Sequence, residues 1–487
     1  MRVTNQMMTN SALLQVNKNM NNMSKLEQQY NSQKKIQLPS DDPIIAVRAL
    51  KFRTNLSELN QYLEKNIPDA TNWMSVTEEA LGSITSVIQE IAGNLCVQGA
   101  QDTLSAENRN SIATTLKEYR TIIAQEGNGN FAGRYVFTGY KTDTSLSYTA
   151  DDDTKEYEIT ENFSFKDLEN KSVVTGSFDV KDALNNSTLD IKQEEVKRLR
   201  LSYDKNMAGE KPSITVDGTD IAADKIVTKT LAEADCYQPG EDEVFYIAET
   251  GELILGANVY EQMKTADSID VTYKKDSFEK DDLRPEHYFN CTATDKASGD
   301  AITYKVSDQD IQYEVNYNQK IPVNVQGKDC ITHAILRDID ELAKVVDDVI
   351  QVEDKIAEVK KLMADPNYQD KTSQDNLKIS LEAYELEHSI RTDIMQKAFG
   401  ANITKFKGHQ EAISHETSDL GSRGKRLALI NERLSSQATD VEELLSKNED
   451  ADLLDVAIRY QAAEYVYNAS LQVTAQIMKQ SLLDFLQ

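Results

Sequence analysis

Residues 453–487 read LLDVAIRYQAAEYVYNASLQVTAQIMKQSLLDFLQ, with neither Gly nor Pro to interrupt a helix. Apolar side chains recur at three- and four-residue steps through Leu453, Val456, Tyr460, Ala463, Tyr467, Leu471, Ala475, Met478, Leu482 and Phe485, a coiled-coil seam with one phase shift near Tyr467. A lone helix cannot bury such a stripe. The other end of the chain offers a partner: residues 1–38 place Leu13, Val16, Met20, Met23 and Tyr30 in the same rhythm, with Glu27 in the polar slot. Charge sets the direction. The first segment carries Arg2, Lys18, Lys25, Lys34 and Lys35 against Glu27, and the last is acidic at Glu449, Asp450, Asp452 and Asp455. Antiparallel pairing brings Lys34 and Lys35 beside that acidic cluster. Such exposed pairs contribute little energy, about 0–1 kcal/mol each, but they favour one orientation over the other.

Working inward, QLPSDDP at 37–43 reads as a break followed by a new start. Pro39 stops the first helix, Asp41 or Asp42 caps the second, and Pro43 fits its first turn. That second helix is expected from Pro43 to Cys96, bent near Pro68, with Leu56, Leu59 and Leu63 and then Leu81, Ile84, Ile88, Ile91 and Leu95 on its stripe. Ser105 caps a third helix with Ile112, Leu116, Tyr119 and Ile123 on one face, and NFAGRYVFTGYKT at 130–142 reads as a short hairpin. From about Ser145 to Gly327 short alternating runs separated by turns such as Asp217-Gly218 read as a β-rich insertion of two small subdomains. DIKQEEVKRLRLS at 190–202 is charged enough to read as a short helix within it. Helix resumes at about His333 as far as Asp365-Pro366-Asn367, and again from Thr372 to Lys447, softened at Gly400, Gly408, Gly421 and Gly424.

This order implies an α+β multidomain chain: a long antiparallel helical rod formed by both termini, with the β-rich insertion at its far end. The expected parts are a terminal coiled coil (1–38 and 448–487), a helical rod domain with a β-hairpin (39–142 and 333–447) and a β-rich outer domain (143–332).

The 487 residues exceed what one core holds, and a net charge of −28 argues against nucleic acid, whose phosphates need a basic footprint. No run of about 18 apolar residues is present, so no membrane span is expected, and the N-terminus lacks the continuous apolar core of a signal peptide. Cys96, Cys236, Cys291 and Cys330 are widely spaced thiols without metal-ligand spacing, a disulfide among the last three staying open. The five histidines are scattered, and Asp151-Asp152-Asp153 is not followed by the ligands of a calcium loop. No catalytic, cofactor-binding or metal site is expected, and no cofactor. Trp73 reads as a packing anchor, and the Met-rich N-terminus as an adaptable seam.

Several motifs resemble the flagellin superfamily of bacterial flagella: PSDDP at 39–43 with the helix after it, FGANITKF at 399–406, NEDADL at 448–453 and NASLQVTAQIMKQSLLDFL at 468–486. GRYVFTG at 133–139 and SLLDFL at 481–486 are similar to the hook–filament junction branch rather than to filament flagellin. The resemblance covers roughly 1–142 and 330–487. It implies a structural, non-enzymatic subunit, exported unfolded through the flagellar type III channel without a cleaved signal and placed outside the cell on the flagellum. It implies a ring on which flagellin polymerises, with hook-associated protein 1, flagellin, further copies of the chain and an export chaperone as partners. The chaperone would hold the region around Leu453–Phe485. The terminal helices, mobile in the free subunit, would order on assembly through the seam residues. Other readings are a filament flagellin with an enlarged outer domain, an adhesive outer domain carried on a flagellar rod, and an enzymatic insertion.

Overall fold

The computed structural model describes residues 5–101, 104–184, 191–207 and 209–485, and side chains from Gln6 to Met478 within them. By contact density these fall into two units, one of residues 1–69, 314–320 and 426–487 and one of 70–313 and 321–425.

In the first unit, α1 (Asn5–Ser32) lies along α10 (Leu453–Phe485). The antiparallel bridge of Lys34 with Asp450 joins the end of one helix to the start of the other, so the pair runs antiparallel. α1 ends several residues before Pro39. Gln33 takes a left-handed φ of 60°, Lys35 N–H donates to the Glu449 carbonyl at 2.7 Å, and Ala451 N–H donates to the Gln33 carbonyl at 2.9 Å. These backbone bonds end both helices at one place, which is why α10 starts at Leu453 rather than 448. Asp452 then accepts from Leu454 N–H at 3.0 Å.

α2 (Pro43–Gln61) starts where the sequence signals, with the Asp42 carboxylate accepting from Ile44 and Ile45 N–H at 3.0 and 3.2 Å. Instead of ending at Pro68, the helix widens into a π-turn over Tyr62–Asn66 and continues as α3 (Ile67–Glu90). Pro68 lacks an N–H and its ring crowds the carbonyl four residues back; the wider turn directly before it absorbs that conflict. A second π-turn, Ile91–Leu95, leads into α4 (Cys96–Gly99). An 18-residue window within Pro43–Gly99 reaches a mean hydropathy of 1.2, enough by composition for a membrane span. Its apolar side chains are used internally: Trp73, Leu81, Ile84, Ile88 and Ile91 are fully buried.

In the second unit, α5 (Ala106–Glu126), capped by Ser105, pairs antiparallel with α8 (His333–Ala364). Arg109 meets Glu353, Lys117 meets Asp347 at 2.8 Å and Arg120 meets Asp340 at 2.9 Å. α9 (Lys371–Glu449) is unbroken through four glycines, and no close packing requires them, since a Cβ at Gly400, Gly408, Gly421 or Gly424 would meet nothing within 4 Å. It returns antiparallel to α8, with Arg391 on Asp348 at 3.1 Å and Lys405 on Asp338 at 3.3 Å. A hairpin of β1 (Asn130–Phe131) and β2 (Arg134–Tyr135) sets the Phe131 ring edge-on to Trp73 at 6.2 Å.

The insertion is one sandwich. β3 (Lys155–Phe163), β6 (Ser213–Val216), β7 (Thr219–Asp220), β11 (Ile269–Lys275), β12 (Asn290–Asp295) and β13 (Ala301–Tyr304) form a sheet in the order 13-12-3-11-6-7. β4 (Leu168–Thr175), β5 (Lys192–Arg200), β8 (Ile226–Lys229), β9 (Val244–Ile247) and β10 (Glu252–Leu255) form another in the order 4-5-10-9-8. One core holds Ile159, Val271 and Tyr273 of the first sheet with Leu199, Tyr246 and Leu253 of the second and is closed by α6 (Ala257–Lys264), and Val173, Val196, Phe245, Ile247 and Ile254 of the second sheet form a smaller cluster with Cys236. The segment DIKQEEVKRLRLS is strand β5, not helix. A further hairpin, β14 (Gln312–Asn316) and β15 (Gln319–Pro322), leads to α7 (Gly327–Cys330). The disulfide left open by the sequence is not made: all four cysteines are free and buried.

Ion pairs tie the second sheet to α8 and α9 and join its own strands to one another. Arg198 reaches Glu252 at 2.6 Å, Glu169 at 2.7 Å and Glu341 at 2.7 Å; Arg200 reaches Asp338 at 2.5 Å and Glu341 at 2.9 Å. Lys171 closes on Glu252 at 2.6 Å, Lys405 on Glu169 at 2.6 Å, and the His409 ring on Asp338 at 3.0 Å. Burial alone would raise the Glu252 and Asp338 carboxyls. For Glu252, Lys171 and Arg198 outweigh it and bring the group down to about 2. For Asp338, the bond from His409 and the charges of Arg200 and Lys405 do the same, again to about 2.

Candidate assembly interface

The α1–α10 pair buries less of the apolar sequence than its pattern offers. On α10 the side facing α1 is marked by Val456 and Thr474, both buried, with Tyr460, Ala463, Tyr467, Ser470 and Ile477 half-buried between and beyond them. These steps alternate four and three without interruption, so the intramolecular seam has no phase shift at Tyr467. Small hydroxyl residues fit there because they satisfy themselves: Ser470 Oγ donates to the Tyr467 carbonyl and Thr474 Oγ1 to the Ser470 carbonyl, both at 2.7 Å. On α1 the matching side runs through Ala12, Val16, Asn19, Met23 and Leu26.

Of the residues assigned to the seam from sequence, Val16 and Val456 are therefore buried, and Met23, Tyr460, Ala463 and Tyr467 half-buried. Leu13, Met20, Leu453, Leu471, Ala475 and Met478 are exposed. Leu482 and Phe485 lie outside the residues whose side chains are described. A second stripe was missed. Leu454 (77% exposed), Ile458 (66%) and Tyr465 (78%), with Ala462, Ala469 and Val473, recur at helical spacing on the face of α10 turned away from α1. The signal was present, since those positions repeat every three or four residues, but the first stripe hid it. α10 thus carries apolar side chains on two opposite faces, and α1 covers only one.

The base of the pair is locked by charge. Lys34 Nζ lies 2.9 Å from Glu449 and 2.5 Å from Asp450, Arg53 reaches Glu449 at 2.5 Å, and Lys35 donates to the Lys447 carbonyl. Burial pushes the Glu449 carboxyl up, but the bonds from Lys34 and Arg53 outweigh it and leave it below its ordinary value. Lys34 holds Asp450 low too, and is itself raised by these two partners, Asp450 first. The carboxylates' contribution is therefore complete above the ordinary carboxylate range and lost as pH falls through their lowered values. That of Lys34 is complete below the ordinary lysine value and lost as pH rises through its raised one. The lock is expected to be intact between about pH 5 and 10. Exchange of the Lys35 and Ala451 amides, corrected for intrinsic rates, should accelerate on either side of that window. Protection that stays flat down to pH 3 would show that the backbone bonds alone hold the junction.

The histidines serve packing and pairing. His333 sits among Tyr203, Tyr288 and Phe289 with ring centroids 4.6–5.0 Å away, and burial lowers it to about 3. His388 meets Glu353 at 3.2 Å. In the acidic run Asp152 forms an antiparallel bridge with Phe278 and its carboxylate accepts from Thr154 N–H at 2.9 Å, while Asp151 accepts from Lys280 N–H at 2.8 Å.

The profile of the bacterial flagellin N-terminal helical region matches residues 3–142, and that of the flagellin C-terminal helical region matches residues 403–486. The chain carries both terminal regions of bacterial flagellin. This flagellin-like chain is 34% identical over 149 residues to flagellar hook-associated protein 3 of Salmonella typhimurium and 33% identical over 149 residues to that of Escherichia coli. Each match takes in 30% of the chain and 45% of the relative, so it spans less than half the length of either. A solved structure of Xanthomonas campestris FlgL aligns with a TM-score of 0.32 at 12% identity, over 81% of this chain and 99% of that one.

Proposed function

We propose that this flagellin-like chain is a structural subunit of the hook–filament junction, ringing the distal end of the hook so that flagellin polymerises on it. The likeness to hook-associated protein 3 over 149 residues supports the junction over the filament as its place. The observation that carries an assembly role is the outward apolar face of α10, since a helix apolar on two sides with one side covered has room for neighbours. In this reading residues 1–38 and 448–487 form the inner layer, 39–142 and 333–447 the next, and 143–332 projects outward. Hook-associated protein 1 lies below the ring and flagellin above. The subunit leaves the cell unfolded, escorted by an export chaperone on its C-terminal helix, and acts outside the cell without catalysis.

Gold-labelled antibody on isolated hook–filament preparations tests the place. A narrow band at the distal end of the hook is expected; label along the whole filament would make the chain a flagellin, and its absence from the organelle would end the flagellar reading. Leu471→Asp tests the interface. Because Leu471 is exposed, a charge there should leave the unfolding free energy within about 0.5 kcal/mol of wild type while abolishing incorporation. Normal filament attachment in that variant would remove Leu471 from the interface.

A further inference from the structure

The connection between β4 and β5 leaves its sheet and lies on the α8–α9 pair. Phe178, Val180, Ala183 and Leu184 pack there against Val352, Val359, Leu377 and Tyr384, and the Phe178 and Tyr384 rings stack at 4.7 Å. The place lies beyond the N-terminal end of α5. α5 begins at Ala106, and Arg109 on its first turns pairs with Glu353, so the stretch of α8 beyond Glu353 has no α5 beside it. Two antiparallel helices alone cover each other on one side only. Yet Val359, Leu377 and Tyr384 are fully buried. Residues 176–184 supply the third side.

The helices also read the backbone of this segment. Lys355 Nζ and the Tyr384 hydroxyl donate to the Phe178 carbonyl at 3.0 and 3.1 Å, Ser380 Oγ to the Ala183 carbonyl at 2.9 Å, and Asn376 Nδ2 to the Leu184 carbonyl at 2.6 Å. Ser177 Oγ donates to Glu387, whose side chain is wholly buried, at 2.9 Å. Four donors on two helices, all aimed at carbonyls of one short segment, are the arrangement by which a groove holds a peptide.

We infer that the end of the α8–α9 pair beyond Glu353 is a peptide seat occupied in cis by residues 176–184, and that this strap, rather than the helices, sets the order of that end. Its ligand is a short segment with an aromatic residue followed by small aliphatic ones, read through its carbonyls. The inference stands apart from the flagellar role, because it concerns contacts within one chain.

The test replaces residues 177–184 by a Gly/Ser segment of equal length in the full chain and follows amide exchange by mass spectrometry. Exchange over 352–384 should rise at least about tenfold while β3 and β11 stay protected. A synthetic peptide of residues 174–184, added in excess, should restore the protection. Unchanged exchange over 352–384, or no recovery with the peptide, overturns the proposal. Should the replacement unfold the chain as a whole, Phe178→Ala takes its place: faster exchange confined to 352–384 supports the seat, and exchange that is unaltered there or faster everywhere refutes it.

Discussion

Replacing Arg198 by Ala is expected to destabilise the second unit by about 3–5 kcal/mol, the range for removing one partner of a buried ion pair. The guanidinium is 4% exposed and serves Glu169, Glu252 and Glu341. With it gone, Glu341 keeps Arg200 at 2.9 Å, Glu169 keeps Lys405 at 2.6 Å and Glu252 keeps Lys171 at 2.6 Å, so each carboxylate retains one cation and the three lose their common centre. The loss would register in urea unfolding followed by circular dichroism. A second variant separates charge from fold: Arg198→Met combined with Glu252→Leu removes one charge of each sign and should cost less than Arg198→Ala alone, which leaves the buried cluster one positive charge short. If the double variant is the less stable of the two, the network is worth more than the burial of its charges.

Gly251→Ala should cost about 3 kcal/mol or more, for two reasons that add. Gly251 turns the chain between β9 and β10 with a φ of 61°, which disfavours any L side chain, and a Cβ there would lie 1.9 Å from the Tyr203 carbonyl oxygen. The contact is with backbone, so no rotamer change relieves it. Gly218 is the control. It has a φ of 77° with nothing within 4 Å of a Cβ, so Gly218→Ala should cost only the backbone strain, about 1–2 kcal/mol. Equal losses in the melting of the two variants would show that the torsion, not the approach of Tyr203, sets the cost.

The parts of the fold that were legible are those where local chemistry decides. Asp42 and Ser105 cap the helices they precede, and Lys34 meets the acidic residues that its charge pointed to. What stayed hidden depends on distant partners. β5 reads as a solvated helix because Lys197, Arg198 and Arg200 are charged, yet Arg198 and Arg200 are buried against Asp338 and Glu341, which lie 138–143 residues further along the chain. The strap has no periodicity to find; its apolar residues follow the surface of α8–α9 rather than any repeat of its own. On α10 the error was one of phase. With apolar residues on opposite faces, counting hydrophobic positions selected Leu471, Ala475 and Met478, whereas burial selects Ser470, Thr474 and Ile477. The seam between α1 and α10 was thus legible as a pair of helices and not as a face.

The four thiols make the molecule convenient to work with. Burial raises each of them, Cys96 and Cys291 to about 12, and Cys236 and Cys330 in the same direction. Near neutral pH none presents an accessible thiolate while the chain is folded. A cysteine introduced at an exposed position such as Tyr465 would then react alone with maleimide dyes or spin labels, with no need to strip out the native ones first. The same native thiols would report unfolding by becoming reactive, so one chain can carry a surface probe and an internal gauge of its own integrity.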